Sequence, residues 1–154
     1  MKTLSPEDLS IRPQPTRDDE LPRSELVLYG EATGKIVEGA VLEAAVCWKG
    51  LFLIFMTDDI PHEDTLRIYL LGARLDMLDA ASLGAMYATG VFARLEVIEP
   101  NLLRFEFFGE ATWTLELLEE QAFAVPMVSD PKGVARPFKL TQRFKLYGEP
   151  LPAA

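Results

Sequence analysis

The chain has 154 residues, 49% hydrophobic and 25% charged, with a formal net charge of −9 and a single cysteine. A chain of this length forms one domain with its own core, and one cysteine excludes an internal disulfide framework. The acidic charge disfavours nucleic acid and anionic membranes as partners and favours a basic protein. No stretch has the length of a membrane helix and the start lacks a signal-peptide pattern, so we expect a cytoplasmic protein.

The first 24 residues combine four prolines with many charged residues and few large apolar ones. This composition is typical of a disordered or flexible tail, so the ordered domain is expected to cover residues 25–148 and to end in a flexible C-terminus at 149–154. Within the domain, short apolar runs are separated by glycines and prolines. This pattern predicts an all-β, mainly antiparallel meander that forms a barrel or a sandwich.

Residues 41–58, VLEAAVCWKGLFLIFMTD, predict a hairpin that turns at Lys49-Gly50. With this two-residue loop, Val46 lies opposite Leu53 on one face, and Cys47 lies on the other face. Both faces are apolar, and such strands are usually covered on both sides. An uncovered hairpin would instead favour a homodimer through the exposed face. A thiol in the middle of an apolar strand is expected to be inert.

The segment TDDIPHEDT, residues 57–65, places the only histidine of the chain among four carboxylates. These five residues are Asp58, Asp59, His62, Glu63 and Asp64. The spacing lacks the repeated oxygen ligands of a calcium loop, and zinc usually takes more His or Cys ligands. A wet loop tip also lacks the burial that shifts a pKa for acid–base chemistry. We therefore expect a solvated turn, with contact to a partner through these five residues as the alternative, and predict no catalytic, cofactor-binding or metal-binding residues.

Residues 79–88 fit two local structures. Asp79 could cap a short helix, but Gly84 weakens that helix, and a strand followed by a turn fits equally well. The sequence leaves both structures open.

Three antiparallel strands are predicted around loops at residues 99–101 and 109–111. In one register all apolar side chains share a face and the other face pairs opposite charges. Arg104 then lies between Glu96 and Glu116. A shift of one residue would place apolar side chains opposite charges throughout.

The C-terminal run RPFKLTQRFKLYG, residues 136–148, alternates apolar and basic residues. Lys139, Arg143 and Lys145 form a basic stripe on one side of the predicted strand. Cations on an edge strand prevent edge-to-edge pairing or neutralise acidic neighbours, and we favour this reading. Binding of a phosphate or carboxylate ligand is the alternative.

The sequence contains no G-x-S-x-G, P-loop or G-x-G-x-x-G motif and predicts no cofactor. We expect a non-enzymatic acidic binding protein, such as an inhibitor or immunity-type protein for a basic protein partner. In size, charge and strand content the chain resembles the small acidic proteins with which bacteria neutralise toxins. Two alternatives stay open. One is a β-barrel carrier of a small apolar ligand, and the other is an enzyme that uses carboxylates in a barrel cleft, for example Asp76 with Asp79.

Overall fold

The computed structural model describes residues 1–60, 64–84, 90–108, 111–123, 130–131, 133–137 and 141–148. These residues form β-strands, numbered β1 to β13 in chain order, and every strand pair among them is antiparallel. The all-β prediction is therefore confirmed. No helix in the described part of the chain is long and apolar enough to cross a membrane.

The strands form three sheets. The three-stranded sheet contains, in spatial order, β2 (Leu9–Pro13), β3 (Arg23–Leu28) and β4 (Glu31–Glu38). The central sheet contains, in spatial order, β1 (Lys2–Thr3), β5 (Val41–Trp48), β6 (Leu51–Thr57), β7 (Leu66–Leu71), β8 (Met77–Leu83) and β12 (Val134–Ala135). The four-stranded sheet contains, in spatial order, β13 (Thr141–Gly148), β11 (Thr112–Phe123), β10 (Leu102–Glu106) and β9 (Ala93–Ile98).

The central sheet is covered on both faces by the other two sheets. One cluster of buried side chains joins it to the four-stranded sheet and includes Phe55, Trp113 and Phe144. A second cluster joins its other face to the three-stranded sheet and includes Ile54 and Leu9. Successive side chains of a strand point to opposite faces, so the continuous apolar run of β6 supplies both clusters. The result is a three-layer sandwich, and the described sheets do not close into a barrel.

The hairpin of β5 and β6 has the predicted register. Val46 pairs with Leu53, and Cys47 pairs with Phe52. Lys49 and Gly50 both have positive φ, at 50° and 76°, as a two-residue type I′ turn requires. Because both faces are covered within one chain, the condition under which we expected a homodimer through this hairpin is not met.

Parts of residues 1–24 form strands, where their proline content suggested a flexible tail. Strand β1 pairs with β5, and β2 pairs with β3 along its whole length. Leu9 is buried in the second cluster. Proline is compatible with β2 because this strand lies at the edge of its sheet, and Pro13 is its last residue.

The helix considered near residues 79–88 is not present where the structure describes this segment. Residues 77–83 form β8, which pairs with β7, and Asp79, Ala81 and Leu83 are buried in alternation. Pairing with a neighbouring strand outweighs the local preference of the alanines for a helix. Residues 85–89 lie outside the described part.

The predicted register is confirmed for part of one hairpin of the four-stranded sheet and wrong for the next. Arg104 pairs with Glu96, as predicted, but a bulge beyond this pair places Glu106 opposite Ala93 instead of Arg94. Across β10 and β11, however, Arg104 pairs with Thr114 instead of Glu116. This difference of two residues leaves every side chain on its predicted face. The apolar pattern has a period of two. It therefore distinguishes strand registers that differ by one residue, but it does not distinguish registers that differ by two.

A pair of substitutions distinguishes the two registers. Thr114→Glu places a carboxylate opposite Arg104, and Thr112→Glu places one opposite Glu106. We expect the first to raise and the second to lower the free energy of unfolding, each by about 0.2–1 kcal/mol, in urea denaturation at low salt. In the register predicted from sequence, Thr114→Glu would face Glu106, so a destabilised Thr114→Glu variant would contradict the structure.

Candidate functional site

The acidic loop that carried the predicted contact residues is held in place by its own carboxylates. Asp58 is only 5% exposed, and its two oxygens accept hydrogen bonds from Arg67 at 2.9 and 3.0 Å. Asp64 accepts hydrogen bonds from the backbone N–H groups of Asp58 and Thr65 at 2.8 and 2.9 Å. Asp58 and Asp64 are therefore structural, which differs from the expected solvated turn.

The structure shows no such structural role for the other three predicted residues of this loop, of which it describes only Asp59. Asp59 is exposed, with a positive φ of 57°. His62 and Glu63 lie outside the described residues. Contact between a partner and the five residues of this loop stays a prediction.

Arg67 links the acidic loop to the three-stranded sheet. Its Nη1 lies 3.0 Å from the Glu38 carboxylate, and the neighbouring Tyr69 hydroxyl donates a hydrogen bond to the Glu38 backbone carbonyl at 2.9 Å. Burial raises the pKa of Tyr69 to about 12, with the carboxylates of Glu38 and Asp58 adding to the effect and Arg67 opposing it. The phenol is therefore a neutral hydrogen-bond donor at physiological pH.

A second ionic network ties the central sheet to the four-stranded sheet. Asp79 is buried on β8, and its Oδ2 accepts hydrogen bonds from Arg136 at 2.8 Å and from the backbone N–H groups of Arg143 and Phe144 at 2.7 and 3.3 Å. Arg136 also bonds Asp130 and lies over the Phe144 ring, 4.6 Å from its centroid. Such a saturated network specifies how the two layers meet.

These two networks border an open cleft of about 230 Å³ beside the three-stranded sheet. Its lining includes Glu38, Arg67, Tyr69, Ala80, Ser82 and Arg136. Each arginine is held by two carboxylates, which gives the networks a formal charge of −2. The negative charge disfavours an anionic ligand in this cleft. Its charged side chains are already paired with one another, so we interpret their role as structural.

In the four-stranded sheet, an acidic bulge in β11 interrupts the regular pairing of β11 with β13. Leu117 pairs with Phe144 and Ala122 pairs with Gln142, so residues 118–121 all stand opposite Arg143. The guanidinium of Arg143 lies 3.5 and 3.4 Å from the carbonyl oxygens of residues 118 and 119 and holds the bulge. Bulges of this kind commonly redirect side chains at functional sites.

The same contacts account for most of the predicted basic stripe. Strand β13 is an edge strand, as expected, and Lys145 pairs with Glu116 on β11. Arg143 holds the bulge, and Lys139 lies outside the described residues. Arg143 and Lys145, the two described cations, therefore both lie beside the neighbouring acidic strand β11.

An open cleft of about 340 Å³, which we call the bulge cleft, lies between the bulge and the β5–β6 turn. Its lining includes Trp48, Lys49, Pro100, Leu117, Glu119 and Glu120. The Trp48 indole N–H donates to the Pro100 carbonyl at 3.0 Å, and Asn101 and Leu117 exchange hydrogen bonds at 2.8 and 2.9 Å. The apolar floor is thus held by bonds that do not involve the acidic side chains.

A cation of the protein itself occupies the bulge cleft. The Lys49 ammonium forms an ion pair with Glu119 and lies 5.3 Å from the centroid of the Trp48 ring. Hydrogen bonding and charge attraction from Lys49 lower the pKa of Glu119. Glu120 is exposed beside them, and within the described part of the chain it forms no ion pair. Trp48 is 5% exposed with Lys49 in this position. An aromatic ring beside carboxylates is suited to binding a lysine or arginine side chain.

The described carboxylates offer little support for metal or acid–base chemistry. No group of three or more His, Cys, Asp or Glu among the described residues could hold a metal ion. Where a carboxyl pKa shifts there, at Asp8, Glu25 and Glu119, it falls because hydrogen-bond donors favour the ionised form. A general acid at neutral pH requires the opposite shift.

Sequence reasoning missed the bulge cleft. The pair Glu119-Glu120 ends the alternation of apolar and polar residues in the preceding strand. This break was the one sequence signal that indicated an irregular strand. The proximity of this pair to Trp48 depends on packing between two sheets and had no local signal. Comparisons with protein-family models, curated proteins and solved structures gave no match.

Proposed function

We propose that this chain is a non-enzymatic binding protein for a basic protein, of the inhibitor or immunity type, and that the bulge cleft contacts the partner. The observation that supports this proposal most strongly is the position of Lys49 between Glu119 and the Trp48 ring. The cleft already accommodates an ammonium group, so its chemistry is that of a receptor for cationic side chains.

The charge of the protein favours the same class of partner. A formal net charge of −9 attracts cationic surfaces at long range and accelerates their association, most strongly at low salt. Glu119 and Glu120 extend this charge to the rim of the cleft, while Trp48 and Leu117 give it an apolar floor. Lysine and arginine match both parts, because a long aliphatic stem carries a charged end.

Titration with hexalysine, followed by NMR at low and at physiological salt, tests the proposal. The sequence has two tryptophans, and both are buried. The indole signal of Trp48, which lines the cleft, is expected to shift, while that of Trp113, which does not line it, stays in place and serves as internal reference. Glu120→Gln is expected to weaken binding about 3–10-fold, equivalent to about 0.6–1.4 kcal/mol.

Glu31→Gln is the matched control, because it makes the same charge change at an exposed position of β4. We expect this variant to bind within about twofold of the unmodified protein, since charges separated by more than a Debye length are screened. Equal losses in the Glu120 and Glu31 variants would show diffuse attraction only. Hexalysine titrations that leave the Trp48 signal unchanged would also contradict the proposal.

A further inference from the structure

Lys49 occupies a backbone position that does not favour lysine. It is the first central residue of the type I′ turn, with φ of 50°. Left-handed backbone costs an ordinary L-residue roughly 1–2 kcal/mol, and two-residue turns of this type favour Asn-Gly, Asp-Gly or Gly-Gly. Lysine at this position therefore does not stabilise the turn. Its presence is better explained by the contacts of the Lys49 side chain.

The contacts of this side chain hold it across the bulge cleft. Its ammonium group joins the turn to Glu119, which is 70 residues further along the chain, and approaches the Trp48 ring. The two charged side chains are 56% and 69% exposed. An ion pair exposed to this degree contributes only about 0–1 kcal/mol, so a competing cation can replace it at little cost.

Replacement of Lys49 would leave the cleft intact. The Trp48 indole is fixed by Pro100, and Leu117 is fixed by Asn101. Neither bond involves the Lys49 side chain, which rotates about a flexible stem. Withdrawal of Lys49 frees the Glu119 carboxylate and the space beside the Trp48 ring, and it breaks neither of these bonds.

We infer that Lys49 is an internal competitor that occupies the bulge cleft until a lysine or arginine side chain of the partner displaces it. This inference rests on the proposed function and adds how the site is regulated. Lys49 weakens the binding of isolated cations, because each must first compete with a tethered ammonium at high effective concentration. A partner that also makes contacts outside the cleft overcomes this competition.

The test is the affinity of Lys49→Asn for hexalysine. This variant removes the competitor and creates the turn sequence that the backbone prefers, so it is expected to fold at least as stably as the unmodified protein. We expect it to bind hexalysine about 2–5-fold more tightly, with the change reported by the Trp48 indole signal. Lys49→Arg keeps a cation in the cleft and is expected to show no gain.

Lys35→Asn is the charge-matched control, because it also removes one lysine charge, but from β4. An equal gain in the Lys35 variant would assign the effect to net charge and overturn the inference. Weaker binding by Lys49→Asn would show that Lys49 assists binding, which also overturns it. If Glu120→Gln weakens binding while Lys49→Asn matches the unmodified protein, the inference fails and the proposed function stands. Absence of binding at the cleft in every variant would refute both.

Discussion

Replacing Asp79 with alanine is expected to lower the free energy of unfolding by about 3–5 kcal/mol, because it breaks a buried ion pair by removing one partner. The carboxylate is 3% exposed and accepts hydrogen bonds from Arg136 and from the backbone N–H groups of residues 80, 143 and 144. Without Asp79, the Arg136 guanidinium keeps Asp130 and the Phe144 carbonyl but loses its ion pair with β8.

Urea denaturation followed by circular dichroism measures this loss. Asp76→Ala is the matched control, since Asp76 is exposed in the loop between β7 and β8, and its replacement is expected to change the free energy by less than about 0.5 kcal/mol. A loss below about 1 kcal/mol in the Asp79 variant would contradict the network described above.

Alkaline pH is expected to destabilise the protein through Tyr69 by about 2–3 kcal/mol. Burial raises the folded-state pKa of this phenol to about 12 from an ordinary value of 10.0. Below pH 10 the phenol is protonated in both the folded and the unfolded chain, so its contribution to stability is fully present. Between about pH 10 and pH 12 the unfolded chain ionises first, and stability is lost as the pH rises through the folded pKa.

The Tyr69→Phe variant isolates this contribution. It loses the hydrogen bond to the Glu38 carbonyl at every pH, at a cost of about 1 kcal/mol, but its stability should fall less steeply above pH 10. Tyr29→Phe, at a site that is 66% exposed, is expected to keep the slope of the unmodified protein. Parallel slopes for Tyr69→Phe and the unmodified protein would show that Tyr69 titrates normally.

The parts of the fold that the sequence predicted correctly are those that local pattern specifies. The Lys49-Gly50 turn sets the register of β5 against β6, and apolar side chains on both faces indicated two covering layers. The pairing of Arg104 with Glu96 followed from alternation and complementary charge. The position of Thr114 opposite Arg104 did not, because alternation fixes the face of a side chain and leaves steps of two residues undetermined.

The candidate site depended on contacts that no local pattern carries. Asp58 was expected in a solvated turn, and Asp79 as a possible helix cap or as part of a carboxylate pair. Both are buried against arginines from other parts of the chain, with Arg136 lying 57 residues from Asp79. Proline in the first 24 residues suggested flexibility because composition does not reveal a sheet edge where proline is tolerated. The bulge cleft likewise joins a turn and a strand that are distant in sequence.

The three layers follow one another along the chain, and this order has a consequence for biosynthesis. The three-stranded sheet uses residues 9–38, the central sheet mainly 41–83 and the four-stranded sheet 93–148, with the two-residue strands β1 and β12 as exceptions. The three-stranded sheet therefore leaves the ribosome before the central sheet, against which it packs, has been synthesised. Once β5 to β8 have emerged, the growing polypeptide exposes an apolar sheet face that stays uncovered until residues 93–148 have been synthesised. This is the interval in which a chaperone has most to protect.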